Sequence, residues 1–247
     1  MDNKNNFDKN WHHIDLTTNL FLRSSLFGLS QKGVRKEYKN YRIFCNTGLE
    51  VEYRGLRLSQ YDRDISIALK KIAIEKGQGA EVWFDERDIF KKLRYKNYGA
   101  NDKDFLYESL KGMFTSVYCF SDKHSSFEGM NAKSFKWDSK KNLFKLVINN
   151  KWIDYFTDNP ETSLYNLKQR LSLPRGFPRW LHGYWSSYVS IPPTDVHELR
   201  KLCGSSEKLI GNFKKKVIYA MDNLEKIGFI KPDWIVNLHG YITAEKL

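Results

Sequence analysis

Few residues in this 247-residue chain have the types and spacing of catalytic or metal chemistry, and each such grouping has a plainer reading. A metal-dependent nicking enzyme with a tyrosine nucleophile carries its histidines as His-apolar-His, so that both point the same way. His12 and His13 are adjacent and sit in a polar lead, which makes them an exposed pair. Asp85, Glu86 and Asp88 have the charge to hold a divalent cation, but they open a predicted helix, where carboxylates complement the positive end of the dipole. Gly77-Gln78-Gly79 lacks the Gly-Lys-Ser/Thr ending of a phosphate loop. His182 lies in a Trp-rich helix and reads as a packing residue with a hydrogen-bonded tip rather than a general base. Cys45, Cys119 and Cys203 are too far apart for a zinc ribbon or a redox pair, and read as reduced core thiols. The chain is therefore expected not to be an enzyme, with no catalytic residues, metal or cofactor.

What remains is cationic. Lys and Arg number 41 against 29 Asp and Glu, a formal charge of +12, and the sequence pI is about 9.4. The first 150 residues hold 27 basic and 19 acidic residues and the rest hold 14 and 10, so both parts are basic and the charge is no appended tail. Such a field attracts phosphate, and nucleic acid is the favoured partner class. With 41% hydrophobic and 15% aromatic residues, the chain can build a real core. No apolar run approaches the length of a membrane span, so a cytoplasmic protein with no membrane partner is expected.

The candidate DNA contacts fall into three groups. Lys91, Lys92, Arg94, Lys96, Asn101, Lys103, Tyr107 and Lys111 surround one predicted helix-turn-helix. Lys133, Lys136, Lys140, Lys141 and Lys145 decorate the hairpin after it, where Asp138 is the only acid between Asn131 and Lys145. Ser205, Lys208, Asn212, Lys214, Lys215 and Lys216 surround a second helix-turn-helix. Asn can pair bidentately with adenine, and Lys can reach guanine or phosphate.

The elements that position these groups can be read from periodicity. After a polar lead come strand-like runs YRIFCN and LEVEYRG, then a helix with Ile65, Ala68, Leu69, Ile72 and Ala73 on one side. A brief strand AEVWF, a helix Asp85–Leu93, a turn at Tyr98-Gly99-Ala100 and a helix bearing Phe105, Leu106, Leu110 and Met113 follow. SVYCF, KSFKW and NLFKLVIN are read as the β part, with a polar tip Asp138–Asn142. The order recurs later: GFPRWLHGYWSSYV, then TDVHELRKLC, a turn Gly204-Ser205-Ser206, and a helix from about Glu207 to Ile227. Leu209, Phe213, Val217, Ala220, Leu224 and Ile227 are expected on its core stripe, and FIKPDWIVNL with YITAEK closes a hairpin. Helix, turn, helix, hairpin is the order of a winged helix. The expected fold class is α+β with two tandem winged-helix domains. The division is residues 1–35 as an N-terminal lead, 36–155 as the first domain and 156–247 as the second, with a linker around Phe156–Thr162.

Arg23–Phe27 (RSSLF), LEVEYRGLRLSQYDRDISIALKKIA, PRWLHGYWSSYV, LRKLCGSS and FKKKVIYAMDNLEKIG, in this order, resemble the TrfA-like plasmid replication initiators from about Leu22 to the C-terminus. The resemblance implies tandem winged helices that bind repeated sequences (iterons) in double-stranded origin DNA, promote opening of an adjacent A+T-rich segment, and recruit the host replicative helicase and other replication machinery. It also implies a monomer-dimer equilibrium. Only a short lead stands where some relatives place a long helicase-recruiting extension. Ser-Leu-Phe at Ser25–Phe27 is similar to the end of bacterial sliding-clamp peptides, which gives Leu26 and Phe27 two readings, as anchors in a clamp groove or as cover for the first domain. Tyr95, Tyr98 and Trp137 are candidates for stacking on single-stranded origin DNA. The alternatives to initiation are a tandem winged-helix transcriptional repressor and a nicking relaxase-type initiator.

Overall fold

The computed structural model describes residues 16–29, 35–46, 48, 50–75, 81–121, 126–138, 140–151, 162–164 and 166–247. His12-His13, Gly77-Gln78-Gly79 and nearly all of the expected linker lie outside these residues. The elements run β1 (Leu16–Thr18), α1 (Asn19–Leu22), β2 (Phe27–Gly28), β3 (Glu37–Arg42), β4 (Glu50–Leu56), β5 (Leu58–Ser59), α2 (Gln60–Glu75), β6 (Glu81–Phe84), α3 (Glu86–Lys92), α4 (Ala100–Phe114), β7 (Val117–Ser121), β8 (Ser126–Gly129), β9 (Ala132–Asp138) and β10 (Leu143–Ile148). They continue with β11 (Thr162–Leu164), α5 (Leu167–Ser172), α6 (Phe177–Ser186), β12 (Thr194–Asp195), α7 (Val196–Leu202), α8 (Ile210–Lys226), β13 (Ile235–Val236) and β14 (Tyr241–Thr243). Helices and small antiparallel sheets are thus mixed along the chain. No described helix is long and apolar enough to cross a membrane.

Local chemistry explains where the helices begin. Asp85 accepts the Asp88 N–H at 2.8 Å while Asp88 accepts the Asp85 N–H at 3.1 Å, a reciprocal capping box that employs two members of the acidic cluster. Asp195 caps α7 by accepting the N–H groups of His197 and Glu198 at 2.5 and 3.1 Å. The last helix starts at Ile210, three residues later than its periodicity suggested. Leu209 is therefore a cap residue, 67% exposed, and not part of the core stripe. Phe213, Val217, Ala220 and Leu224 do line that stripe and are fully buried.

One topology occurs twice. A long helix (α2, α6) leads to a short strand (β6, β12), a short helix (α3, α7), a longer helix (α4, α8) and a hairpin (β9–β10, β13–β14). In each copy the short strand pairs antiparallel with the second strand of the hairpin, β6 with β10 and β12 with β14. The first copy carries an insertion that the sequence reading had merged with its hairpin. SVYCF, as β7, leaves to join the four-stranded sheet β3-β4-β7-β8. The reason is matched burial: Tyr53 faces Tyr118 and Val51 faces Phe120, and all four are buried on the same side.

Two hydrophobic clusters result, one built from residues 20–146 and the other from residues 173–244. Their joint is polar. Asp64 of α2 is buried and receives Arg170 Nε of α5 and Arg179 Nη1 of α6, each at 2.5 Å. Arg170 also donates to Gln60 Oε1 at 2.7 Å, and the Gln60 amide donates to the Phe27 carbonyl. Burying three charges is tolerable because the carboxylate is shared and the guanidinium donors find oxygens. In the second unit, His182 Nε2 lies 3.1 Å from Gln169 Oε1 and its ring packs on Phe229.

Burial, aided by Arg170 and Lys246, pushes the His182 imidazole down from 6.5 to about 3. Between those values the unfolded chain binds a proton that the folded chain refuses. This contribution to stability is complete above pH 6.5 and is lost as pH falls toward 3, by at most about 1.4 kcal/mol per pH unit. His182→Gln should therefore show a smaller drop in melting temperature than the wild type between about pH 7.5 and about pH 4.5; an equal drop would mean that the imidazole is not held neutral.

Candidate nucleic-acid interface

In the second copy, α7 ends on a turn through Cys203, Gly204 and Ser205, after which α8 begins. Gly204 has φ +62, a left-handed conformation suited to glycine. Arg200 Nη1 donates to the Lys208 carbonyl at 3.0 Å, and Ser205 Oγ accepts the Glu207 N–H at 3.2 Å, so the turn is braced from within. Opposite the buried stripe, α8 presents Gly211, Asn212, Lys215 and Lys216 to solvent, then Ile218 and Tyr219. Glu207 draws in two of the expected contacts: Lys216 Nζ lies 3.0 Å from its Oε2 and Asn212 Nδ2 donates to its Oε1 at 3.4 Å. Those bonds hold the Glu207 carboxyl below its usual range. Lys214 reaches the hairpin tip, donating to the Leu238 carbonyl at 3.4 Å. Lys208 and Lys215 are exposed and have no carboxylate partner among the described residues. They are the cations that this face offers to a polyanion at no cost in internal pairing.

The first copy differs. Lys103 Nζ pairs with Glu86, and the Tyr107 hydroxyl donates to Glu86 Oε2 at 2.6 Å. That hydrogen bond, with burial, pushes the Tyr107 hydroxyl up to about 12. Lys92 pairs with Glu75, and Lys145 with Glu81 Oε2 at 2.6 Å. Lys103 and Tyr107, expected near base edges or phosphates, are both engaged by Glu86 of the helix before them. Asp102, Asp104 and Glu108 leave α4 with more acid than base. Lys91, Arg94, Lys96, Asn101 and Lys111 are exposed, and Arg94 sits at φ +60 in the turn.

The hairpin is the cationic part of this copy. Lys133, Lys136, Lys140 and Lys141 are exposed, and Asp138 shapes the tip by accepting the Lys140 and Lys141 N–H groups at 3.0 and 3.1 Å. Lys141 Nζ stands 3.8 Å from the Trp83 ring centre. Of the aromatic stacking candidates, Tyr95 and Tyr98 pack on Phe90 with centroids 5.1 and 4.2 Å away, while Trp137 is about half exposed beside Phe144.

Of the two readings of Leu26 and Phe27, burial favours cover for the first domain. Leu26 is 2% and Phe27 5% exposed, both in the first cluster, and Phe27 pairs in parallel with Leu58. Ser25 N–H donates to the Phe44 carbonyl at 2.9 Å, and Arg23 Nε donates to Ser187 Oγ at 2.8 Å with its guanidinium over the Tyr188 ring. Leu29 packs on the second cluster. Residues 20–29 form a strap over both clusters, so this part of the expected lead belongs to the body. Sequence reasoning assigned no role to Arg23, Arg57, Arg170 or Arg179. The signal lay in residue type: the cations in the seam are arginines, whose forks satisfy several oxygens, whereas the candidate surface cations are almost all lysines.

No protein-family model matches the chain, and no curated protein matches its sequence. The fold is similar to that in a crystal structure of selenomethionine derivatives of domains 2 and 3 of RctB, with a TM-score of 0.63 and 16% identity, covering 89% of this chain and 94% of that one. A crystal structure of RctB domains 2-3 superposes with a TM-score of 0.53 and 13% identity, covering 88% and 93%. At these identities the likeness is one of fold.

If Leu26 serves packing, Leu26→Ala should cost about 2–5 kcal/mol in urea or thermal unfolding. Wild-type stability in that variant would restore the presented-peptide reading.

Proposed function

We propose that this chain is a replication initiator that binds repeated sequences in double-stranded origin DNA, each copy of the helix-turn-helix-hairpin topology acting as a winged helix. The observation that carries this reading is the exposed pair Lys208, just before α8, and Lys215, on a helix whose opposite side is fully buried. A long helix held rigidly on a core, with cations unclaimed by carboxylates on its free side, suits the major groove. The fold shared with domains 2 and 3 of RctB supports the replication-initiator class, and the resemblance to TrfA-like initiators points the same way.

The two copies divide the work unequally. In the second, α8 reads base edges through Asn212 and neighbours while Lys208 and Lys215 meet phosphates. In the first, the lysines of the β9–β10 hairpin grip the backbone, and α4, with its acid-balanced surface, contributes less. Counterion release by these lysines supplies affinity, and bending of the repeat helps open an A+T-rich neighbour. Trp137 is the aromatic group placed to stack on the strand so exposed. Host helicase and other replication proteins are recruited to the opened segment. No covalent DNA chemistry is needed for any of these steps.

Two measurements test the reading. Replacing Lys208 and Lys215 together by Ala should weaken binding to the repeat and reduce the slope of log K against log salt by about 2, whereas Lys103→Ala should leave the slope unchanged. Saturating an origin fragment with protein should make thymines beside the repeats reactive to permanganate; protection of the repeats without such reactivity would favour a repressor.

A further inference from the structure

The turn that launches α8 is braced by its own unit, and it is also held from the other one. Arg57, between β4 and β5, donates through Nη2 to the Gly204 carbonyl at 2.5 Å and to the Leu29 carbonyl at 3.1 Å. Leu29 N–H donates in turn to the Cys203 carbonyl at 2.8 Å. The two carbonyls of the turn are thereby met by donors from β4–β5 and from the strap, both anchored in the first cluster. Arg57 is itself fixed, since its N–H donates to the Lys36 carbonyl at 2.8 Å and its neighbour Leu58 is buried.

The contact is also sterically close from both sides. A Cβ on Gly204 would stand 3.3 Å from Arg57 Nη2 and 3.4 Å from Ser25 Cβ. A Cβ on Gly28 would stand 3.1 Å from the Cys203 carbonyl oxygen. Two glycines and one guanidinium thus let the strap lie directly on the turn. Because α8 begins only six residues after Gly204, the pose of the helix follows the pose of the turn.

We infer that Arg57 is a positioning residue for DNA recognition: it locks α8 to the first unit, so that α8 and the β9–β10 hairpin meet one DNA segment at a fixed separation. This rests on the DNA-binding reading above. Arg57 itself touches no DNA. A rigid tie makes the second contact intramolecular at high effective concentration, but only when the two contacted stretches lie at the matching distance and rotational phase. Loosening the tie lowers that effective concentration and broadens the set of separations that can be bridged.

The test uses the full chain and a set of duplexes in which one or two base pairs are inserted or deleted between the two stretches protected in footprints. Wild type should bind the native spacing best and lose affinity steeply with each change. Arg57→Ala should bind the native repeat roughly tenfold or more weakly and discriminate little among spacings, while keeping the wild-type salt slope. Where circular dichroism shows that Arg57→Ala does not fold, Arg57→Lys carries the test, since it keeps the charge and stem but lacks the planar fork, and should flatten the spacing profile in the same sense. A folded Arg57 variant with the wild-type spacing profile overturns the inference and leaves the DNA-binding reading intact. Failure of wild type to bind any repeat removes both.

Discussion

The architecture turns on a carboxylate that has left water. Asp64 is buried on α2 of the first cluster, and the guanidiniums that satisfy it come from later in the chain, Arg170 on α5 between the two clusters and Arg179 on α6 of the second. A buried anion cannot go unpaired, because stripping its hydration costs several kcal/mol that only close cations and hydrogen-bond donors return. The converse holds for Arg170, which is equally buried. The first cluster thus presents a buried carboxylate whose cations follow it in the chain, and this polar network, beside the strap, ties the units together. Each carboxylate oxygen takes one guanidinium, and the remaining Arg170 donors go to Gln60 and the Arg179 carbonyl, which fixes their directions.

The chain's cations consequently belong to two populations. Arginines in the seam work inward: Arg23 on Ser187, Arg57 on Gly204 and Leu29, Arg170 and Arg179 on Asp64. The candidate contact lysines work outward, and even among the surface lysines Glu75, Glu81, Glu86 and Glu207 remove several from contention. The gross count of 41 Lys and Arg overstates how many positive groups can meet a phosphate, and a local field is better judged from its unpaired members. By that measure α8 and the β9–β10 hairpin are more electropositive than α4, although the two helices hold equivalent places in the repeated topology.

The parts legible in the sequence are those determined within one turn or one hairpin. Asp85 marked a helix start because a cap needs only the next three residues. The stripe Phe213, Val217, Ala220, Leu224 was visible because burial repeats with the helix. Leu209 was misjudged because periodicity extends past the point where the backbone stops being helical. The pairing of β7 with β4 was hidden because the partners are far apart in the chain and alternation alone does not name a partner. The same limit hid the fates of Lys103 and Tyr107: both were visible as exposed helix positions, but Glu86 reaches them across a turn. Leu26 and Phe27 illustrate a short motif outvoted by its surroundings, since Ser-Leu-Phe reads equally well as a peptide and as a strand, and only the Phe27 pairing with Leu58 decides.

The strap has a consequence for the order in which the molecule is made. Its partners in the first unit follow closely, with Arg57 only 28 residues from Leu29, while its partners in the second unit are distant: Ser187 is 164 residues from Arg23 and Gly204 is 147 from Arg57. At ribosomal speeds of about 5–20 residues per second, the strap and the first unit wait roughly ten to thirty seconds for those partners to emerge. The strap can bury Leu26 and Phe27 at once, and by then Gly28, Leu29 and Arg57 already line the surface that the Gly204 turn must meet. The second unit thus emerges after the residues that its turn must meet, and the geometry of its last helix depends on the part of the chain made first.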